Sequence, residues 1–397
     1  MKTESIFFAA LIAANAFGAA LPDAAIVRDG LANSRIVFET TGKGVVAFLG
    51  GSITEMKGYR PILMESLKRR FPRTEFTFIS AGVSSTCSDT GAFRAEEDVF
   101  SKGVPDLFFV EFAVNDDQDG HKTKAESIRA LEGLVRHARR VNPKMDIMLS
   151  MLVNRHELEL VQKGIVPEPY KAHLEVADYY GLPTANIAAE LAARIEKGEF
   201  TWQRYRDCHP SPDGNRLVAD VQERIFDAAG FGAPFVGGAA KARSLPPPID
   251  PKCFEEGRFL DFKNVKNEGG WSVSVPDVSA LKVTARPQVR AVNFHAEKPG
   301  AKCSFSFVGT AAGLYVTTGP DAGMLDVSVD GAPPRRVTLW DAYSPKLHYP
   351  KTVMLVDGLP RARHTVTLTL SDEHNPVSCG TACRIYRFAI NGVQDKE

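Results

Sequence analysis

The chain has 397 residues, more than a single hydrophobic core usually holds, so two domains are the expected arrangement. Hydrophobic residues make up 44% and charged residues 24%, which is globular composition and excludes disorder over most of the length. Forty-eight basic residues balance 48 acidic ones, so no net field exists to gather nucleic acid or an anionic membrane.

Lys2 precedes a run of small and apolar residues from Ile6 to Ala20, with Gly18 and Ala20 near its end. This pattern predicts a signal peptide over residues 1–20 and a secreted or periplasmic mature protein, although Glu4 and Asn15 depart from it. No later stretch reaches the roughly 20 apolar residues that span a bilayer, so no transmembrane segment is expected. The six cysteines have neither the density of a disulfide scaffold nor the spacing of a zinc site. Cys379 and Cys383 are near enough in sequence to bridge in an exported chain, and isolated thiols are the alternative.

From Val45 onward short apolar runs alternate with longer periodic ones. Val45–Leu49, Phe76–Ile79, Asp106–Val110, Asp146–Leu152 and the shorter Thr184–Ile187 are predicted strands. Helical periodicity fills 59–71, 121–140, 169–180, 187–196 and 213–229, with Pro143 and Pro183 marking breaks. Strand and helix units of this size imply an α/β domain over 40–230, a parallel sheet covered on both faces. Residues 231–252 turn to Gly, Ala and Pro, including Pro246-Pro247-Pro248, and predict a linker or brace. Over 253–393 the period shortens. Strands are predicted at Cys303–Phe307, Leu314–Thr317, Met324–Val329, Arg336–Leu339, His364–Leu370 and Arg384–Ile390, with a tight turn at Asp330-Gly331. This spacing predicts an all-β sandwich resembling a jelly roll.

The chemistry-bearing residues collect at the carboxyl ends of the predicted strands. Gly50-Gly51-Ser52 follows the first, where small residues permit a sharp turn that exposes the Ser52 hydroxyl. Taken alone it also fits a structural turn. Gly82 follows the second strand, Asn115 follows the third in Ala113-Val114-Asn115-Asp116, and Asp207-Cys208-His209-Pro210 precedes the last helix.

In this order the four blocks resemble the SGNH hydrolases, the GDSL-like esterases and lipases, over roughly residues 40–230. The resemblance implies a flavodoxin-like three-layer α/β/α fold. It makes Ser52 the nucleophile and His209 its base, with Ser52, Gly82 and Asn115 as oxyanion donors. Three positions depart from the family pattern. Gly51 stands where an aspartate usually precedes the nucleophile, Ala113 replaces a glycine, and Arg206 stands where the acid usually lies, three residues before the histidine. Asp207, two residues before His209, is the candidate third member; the alternative is a Ser-His dyad helped by backbone carbonyls.

The implied reaction is ester cleavage through an acyl-enzyme, with His209 taking the Ser52 proton and the donors holding the oxyanion. It needs no cofactor and no metal. Glu111, just past a buried strand, either orders the site by hydrogen bonds or faces water. His173 either contacts the crevice or is a buried helical histidine. Relatives with an accessory β domain resemble carbohydrate O-acetylesterases, which implies an acetylated poly- or oligosaccharide as substrate. Trp340, Tyr343 and Tyr349 are candidate glycan contacts, with packing at a sandwich edge as the alternative. Competing readings are a lipase or thioesterase of the same superfamily, or a noncatalytic glycan-binding protein on the same scaffold.

Overall fold

The computed structural model describes residues 23–395, so the predicted signal peptide at 1–20 lies outside the described residues. The first half contains β1 (Ala25–Ile26), α1 (Ala32–Thr41), β2 (Lys43–Gly50), α2 (Ser52–Glu55), α3 (Tyr59–Arg70), β3 (Glu75–Gly82) and α4 (Ser88–Ala95). It continues through β4 (Leu107–Glu111), α5 (Ala113–Gln118), α6 (Lys124–Val141), β5 (Asp146–Met151), α7 (Arg155–Gln162) and α8 (Glu168–Tyr180). β6 (Thr184–Asn186), α9 (Ile187–Glu196), α10 (Trp202–Tyr205) and α11 (Pro212–Ala228) complete it.

Six strands form one sheet in the order β1-β6-β5-β4-β2-β3, parallel except for the short β1. Helices cover both faces, which is why β4 and β5 are buried at every position rather than at alternate ones. The two faces still part by strand periodicity. Phe48, Phe109 and Met148 enter a core with Phe38, Leu63 and Phe226, whereas Leu49, Phe108 and Ile147 enter one with Phe93, Leu131 and Leu134.

The segment 231–252 contains no helix or strand. It is tied down along its length. Arg136 Nη1 donates to the Pro246 carbonyl at 2.6 Å, Tyr179 donates to that of Pro247 at 2.8 Å, and Glu132 accepts the N–H groups of Ile249 and Asp250.

The second half is antiparallel except at β10. It comprises β7 (Gly257–Leu260), β8 (Val265–Gly269), β9 (Ser272–Ser274), β10 (Thr284–Ala285), β11 (Asn293–Ala296) and β12 (Lys302–Thr318). β13 (Met324–Val329), β14 (Arg335–Thr338), β15 (Leu347–Val356), β16 (Ala362–Leu370) and β17 (Cys383–Gln394) follow. β12 is the hub. Its first half pairs β16 and β8, its second half β15 and β17, and the register shifts between Gly309 and Ala311. Gly309 is required there because a β-carbon would lie 2.1 Å from the Asn391 carbonyl oxygen.

The predicted strands 303–307 and 314–317 are therefore one strand, with glycines marking close backbone approach rather than a turn. β15 escaped prediction because Pro350 interrupts its pattern, yet Pro350 pairs Thr317 there. Asp330 and Gly331, at φ 52° and 77°, form the tight turn between β13 and β14. The bridge between Cys379 and Cys383 is not formed, and all six cysteines are free.

The halves share a core: Phe254, Ala311 and Ala389 join the cluster containing Phe93 and Leu131. Gly133 of α6 makes this closeness possible, since a β-carbon there would stand 2.4 Å from the Phe254 backbone nitrogen. Backbone atoms cannot swing aside as side chains do, so Gly133→Ala is expected to cost about 1–3 kcal/mol. Chemical denaturation checks this, and an unchanged midpoint would mean that the 250s segment docks loosely.

Candidate active site

β2, β3 and β4 end at one level, with Gly50 opposite both Gly82 and Glu111. Ser52 begins α2 immediately beyond, and the Ser52 Oγ lies 2.8 Å from His209 Nε2. Gly51, at φ −81° and ψ −149°, leaves no space for a side chain. A β-carbon on Gly51 would fall 2.0 Å from Asn115 Oδ1. The Asn115 carboxamide thus lies directly against the turn that carries Ser52.

His209 sits between α10 and α11. Its carbonyl accepts from Arg206 Nε at 3.0 Å and Nη2 at 2.6 Å. Arg206 is held at φ 97°, a conformation rarely taken by a residue with a side chain. The arginine that replaces the expected acid therefore clamps the histidine loop by its backbone. Asp207 Oδ1 accepts the His209 N–H at 2.6 Å and lies 3.6 Å from His209 Nδ1, an ion-pair separation longer than a hydrogen bond. Cys208 Sγ is 3.4 Å from the same nitrogen.

Asp207, Cys208 and His209 form the one cluster of potential metal donors among the described residues, with donor atoms within 4.8 Å of one another. Burial, then the Asp207 charge, pushes the Cys208 thiol up to about 11, so the thiolate a metal needs is disfavoured at neutral pH.

Asn115 Nδ2 donates to Asp119 Oδ2, one turn further along, at 2.5 Å. The same nitrogen retains a second N–H for a ligand. Asp119 was not anticipated from the sequence, although its spacing of four from Asn115 on one helix was the available signal.

Gly82 requires a correction. Val83 N–H bonds to the Gly50 carbonyl on the β2 side, so strand alternation turns the Gly82 N–H toward the opposite edge of β3. A β-carbon on Gly82 would lie 2.2 Å from the Glu55 nitrogen, and this glycine is needed for packing against α2. Further on, Ser84 N–H is engaged by Glu55 Oε2 at 2.9 Å. Ser85 follows at φ 62° and lines a cleft of about 120 Å³ with Cys87, Asp89, Asp119, Lys122, Tyr349 and Lys351.

Glu111 is fully buried, not facing water. Its Oε2 accepts from Thr54 Oγ1 at 2.9 Å and from Gly51 N–H at 3.3 Å, beneath the nucleophile turn. Burial, reinforced by Asp116, pushes its carboxyl up to about 8. His173 is also buried, 3.2 Å from Asp116 Oδ2, and Asp116 Oδ1 accepts the Ser88 N–H at 2.8 Å. It supports α5 from behind rather than lining the crevice.

Among the aromatic candidates, Tyr343 is 46% exposed and its phenol, raised by burial and by Asp119, faces that carboxylate. Tyr349 is buried and donates to Asp341, which also takes Lys351 Nζ at 2.6 Å. Trp340 packs on the β core with its indole nitrogen buried.

A hydroxyl in contact with an imidazole, at the carboxyl ends of a parallel sheet and beside an asparagine amide, is an arrangement that can carry out serine-type ester chemistry on an α/β/α fold. The GDSL-like Lipase/Acylhydrolase family model matches residues 48–217. The matched stretch runs from β2 into α11, so this domain is similar to that family, and the match supports a carboxylic ester hydrolase. A two-domain esterase (CEX) active on acetylated mannans, co-crystallized with mannopentaose, matches 94% of this chain and 98% of its own. The TM-score is 0.72 at 22% identity. A second structure of that two-domain esterase gives 0.73 with the same identity and coverage. At this identity the likeness is one of fold. No curated protein matches the chain in sequence.

Glu111 makes stability depend on pH. Its folded value of about 8 lies above the unfolded carboxylate range of about 4.3, so the folded state keeps a proton that the unfolded chain releases. Stability contributed here is present below about pH 4.3, falls as pH rises, and levels off above about 8. Glu111→Gln should flatten that slope, which reaches at most about 1.4 kcal/mol per pH unit. Urea unfolding at pH 5, 6.5 and 8 measures it, and parallel curves for both proteins would refute the assignment.

Proposed function

We propose that this chain is an exported carbohydrate O-acetylesterase working through an acyl-enzyme on Ser52. The observation that carries the reading is the 2.8 Å contact between Ser52 Oγ and His209 Nε2. His209 takes the hydroxyl proton as Ser52 attacks the ester carbonyl, and returns it to the departing sugar hydroxyl. It then activates the water that releases acetate.

The oxyanion is held by the Ser52 N–H and by the Asn115 amide. Ser85 N–H is the third donor, because the N–H groups of Val83 and Ser84 are already engaged. Asp207 steadies the loop through the His209 N–H and stabilises the imidazolium by charge.

Several features favour a sugar ester over a lipid. The cleft beside Asn115 is small and polar, lined by carboxylates, lysines and hydroxyls that suit a hydroxylated alcohol. Tyr343, exposed and with its phenol against Asp119, supplies a ring on which a sugar can stack. The two-domain esterase sharing both halves of the fold acts on acetylated mannans, which supports an acetylated glycan. Export rests on the pattern of residues 1–20; no helix among the described residues is long and apolar enough to cross a membrane.

Acetate release from a panel of acetylated mannans, xylans and lipid esters tests the reading. Ser52→Ala should lower turnover by about 10⁴-fold or more, as loss of a serine nucleophile does elsewhere. Asn115→Ala should lower it by about 10²–10³-fold with little change in KM. Full activity in the Ser52 variant would overturn the mechanism, and release from lipid esters alone would overturn the substrate. Because Asp207 is half-exposed and 3.6 Å from Nδ1, Asp207→Asn should cost only about five- to fiftyfold, less than for a buried triad acid. A loss near 10⁴-fold would show that the loop closes on substrate.

A further inference from the structure

α4 reads Ser-Asp-Thr-Gly-Ala-Phe-Arg-Ala and is buried at all eight positions. At its end the Arg94 side chain is 1% exposed. Its guanidinium spans the ends of two strands: Nη2 donates to the Gly50 carbonyl at 2.9 Å and Nη1 to the Ala81 carbonyl at 2.7 Å. Nη1 also meets Asp98 Oδ2 at 2.9 Å. Gly50 lies two residues before Ser52, and Ala81 opens the segment leading to Ser85. The Gly50 carbonyl also receives the Val83 N–H at 3.0 Å, so nucleophile strand, donor strand and cation meet at one oxygen.

We infer that Arg94 is a positioning residue for ester hydrolysis, fixing the nucleophile turn relative to the donor loop. The inference rests on the reading of Ser52 as nucleophile. Stability alone does not account for this side chain. Burying a cation is costly, and well-packed apolar residues of similar volume commonly serve a fold as well or better. Here the only carboxylate partner is itself a third exposed, and Nε has no acceptor.

What the guanidinium does provide is geometry. α2 is four residues long, too short to fix its own start, and the parallel ladder ends at Gly50. A planar fork with donors in fixed directions holds two carbonyls at a set separation, which a lysine cannot do. The second half of the chain completes the enclosure. Thr352 Oγ1 bonds Thr90 Oγ1 of α4 at 2.7 Å, and the buried phenol of Tyr315 lies within electrostatic reach of Arg94.

The test uses the full chain with 4-nitrophenyl acetate and measures kcat, KM and thermal melting for Arg94→Ala. Turnover should fall about 100-fold, the cost of roughly 1 Å of misplacement, while KM changes less than about threefold. Labelling of Ser52 by a fluorophosphonate should slow in parallel. Guanidinium chloride in the low millimolar range should restore turnover at least about tenfold by refilling the vacated fork site, whereas sodium chloride should not.

Turnover within about threefold of the parent, or a loss equal to the unfolded fraction with no guanidinium rescue, overturns the proposal. Should Arg94→Ala fail to fold, Arg94→Lys decides. A lysine reaches one carbonyl, so turnover at least about tenfold down in a folded protein supports positioning, and turnover within about twofold refutes it. Ser52→Ala is run alongside. Activity retained there overturns the nucleophile reading itself, whatever Arg94 does.

Discussion

Everything at the site depends on one ladder register. Gly50, Gly82 and Glu111 stand abreast at the carboxyl ends of three neighbouring strands, and each strand then releases its chain into the same crevice. Parallel pairing imposes this, because strands running the same way must end on the same side. A shift of one residue in β4 would exchange Glu111 for a core phenylalanine beneath Gly51. The nucleophile, the amide at Asn115 and the buried acid are thus placed by backbone hydrogen bonds before any side chain interacts.

The residues proposed to touch the reacting atoms were legible because their chemistry leaves few alternatives. Ser52, Asn115 and His209 follow strand ends or precede a helix, and their order along the chain carries a family signature. The supporting residues were not legible, for reasons that differ from case to case. α4 is buried at all eight positions, so its sequence pattern does not divide a wet face from a dry one. Arg94 in that setting reads as an exposed charge. The family resemblance gave Gly82 a donor role, but strand alternation decides where an N–H points, and register is invisible in one sequence. In the second half, Gly309 looked like a break between strands when it marks the close crossing of two backbones.

Ionisable side chains are distributed unevenly through the site. Glu111 and Arg94 are buried and engage backbone groups next to the nucleophile, while Asp207 and His209 are partly open to solvent. Rigid support lies beneath the serine, and the histidine loop is held from outside by the Arg206 clamp on its carbonyl. This fits the different demands on the two groups. In the proposed reaction the hydroxyl must meet the ester carbonyl carbon within a few tenths of an ångström, whereas the imidazole must accept a proton, turn toward the leaving group and admit water.

The two halves of the chain act on this arrangement as one body. Phe254, Ala311 and Ala389 enter the core of the first domain, and the Thr90–Thr352 contact spans the junction directly above α4. Remove the β strands, and a helix carrying serine, aspartate, threonine and arginine would meet water along the face they now cover. Its guanidinium would then find solvent as easily as the Gly50 and Ala81 carbonyls. Dryness makes those two hydrogen bonds strong and directional. On the proposed role of Arg94, the second domain bears on catalysis at a distance, by keeping water from the cation that joins the two strand ends, as well as through the wall it lends to the cleft beside Asp119.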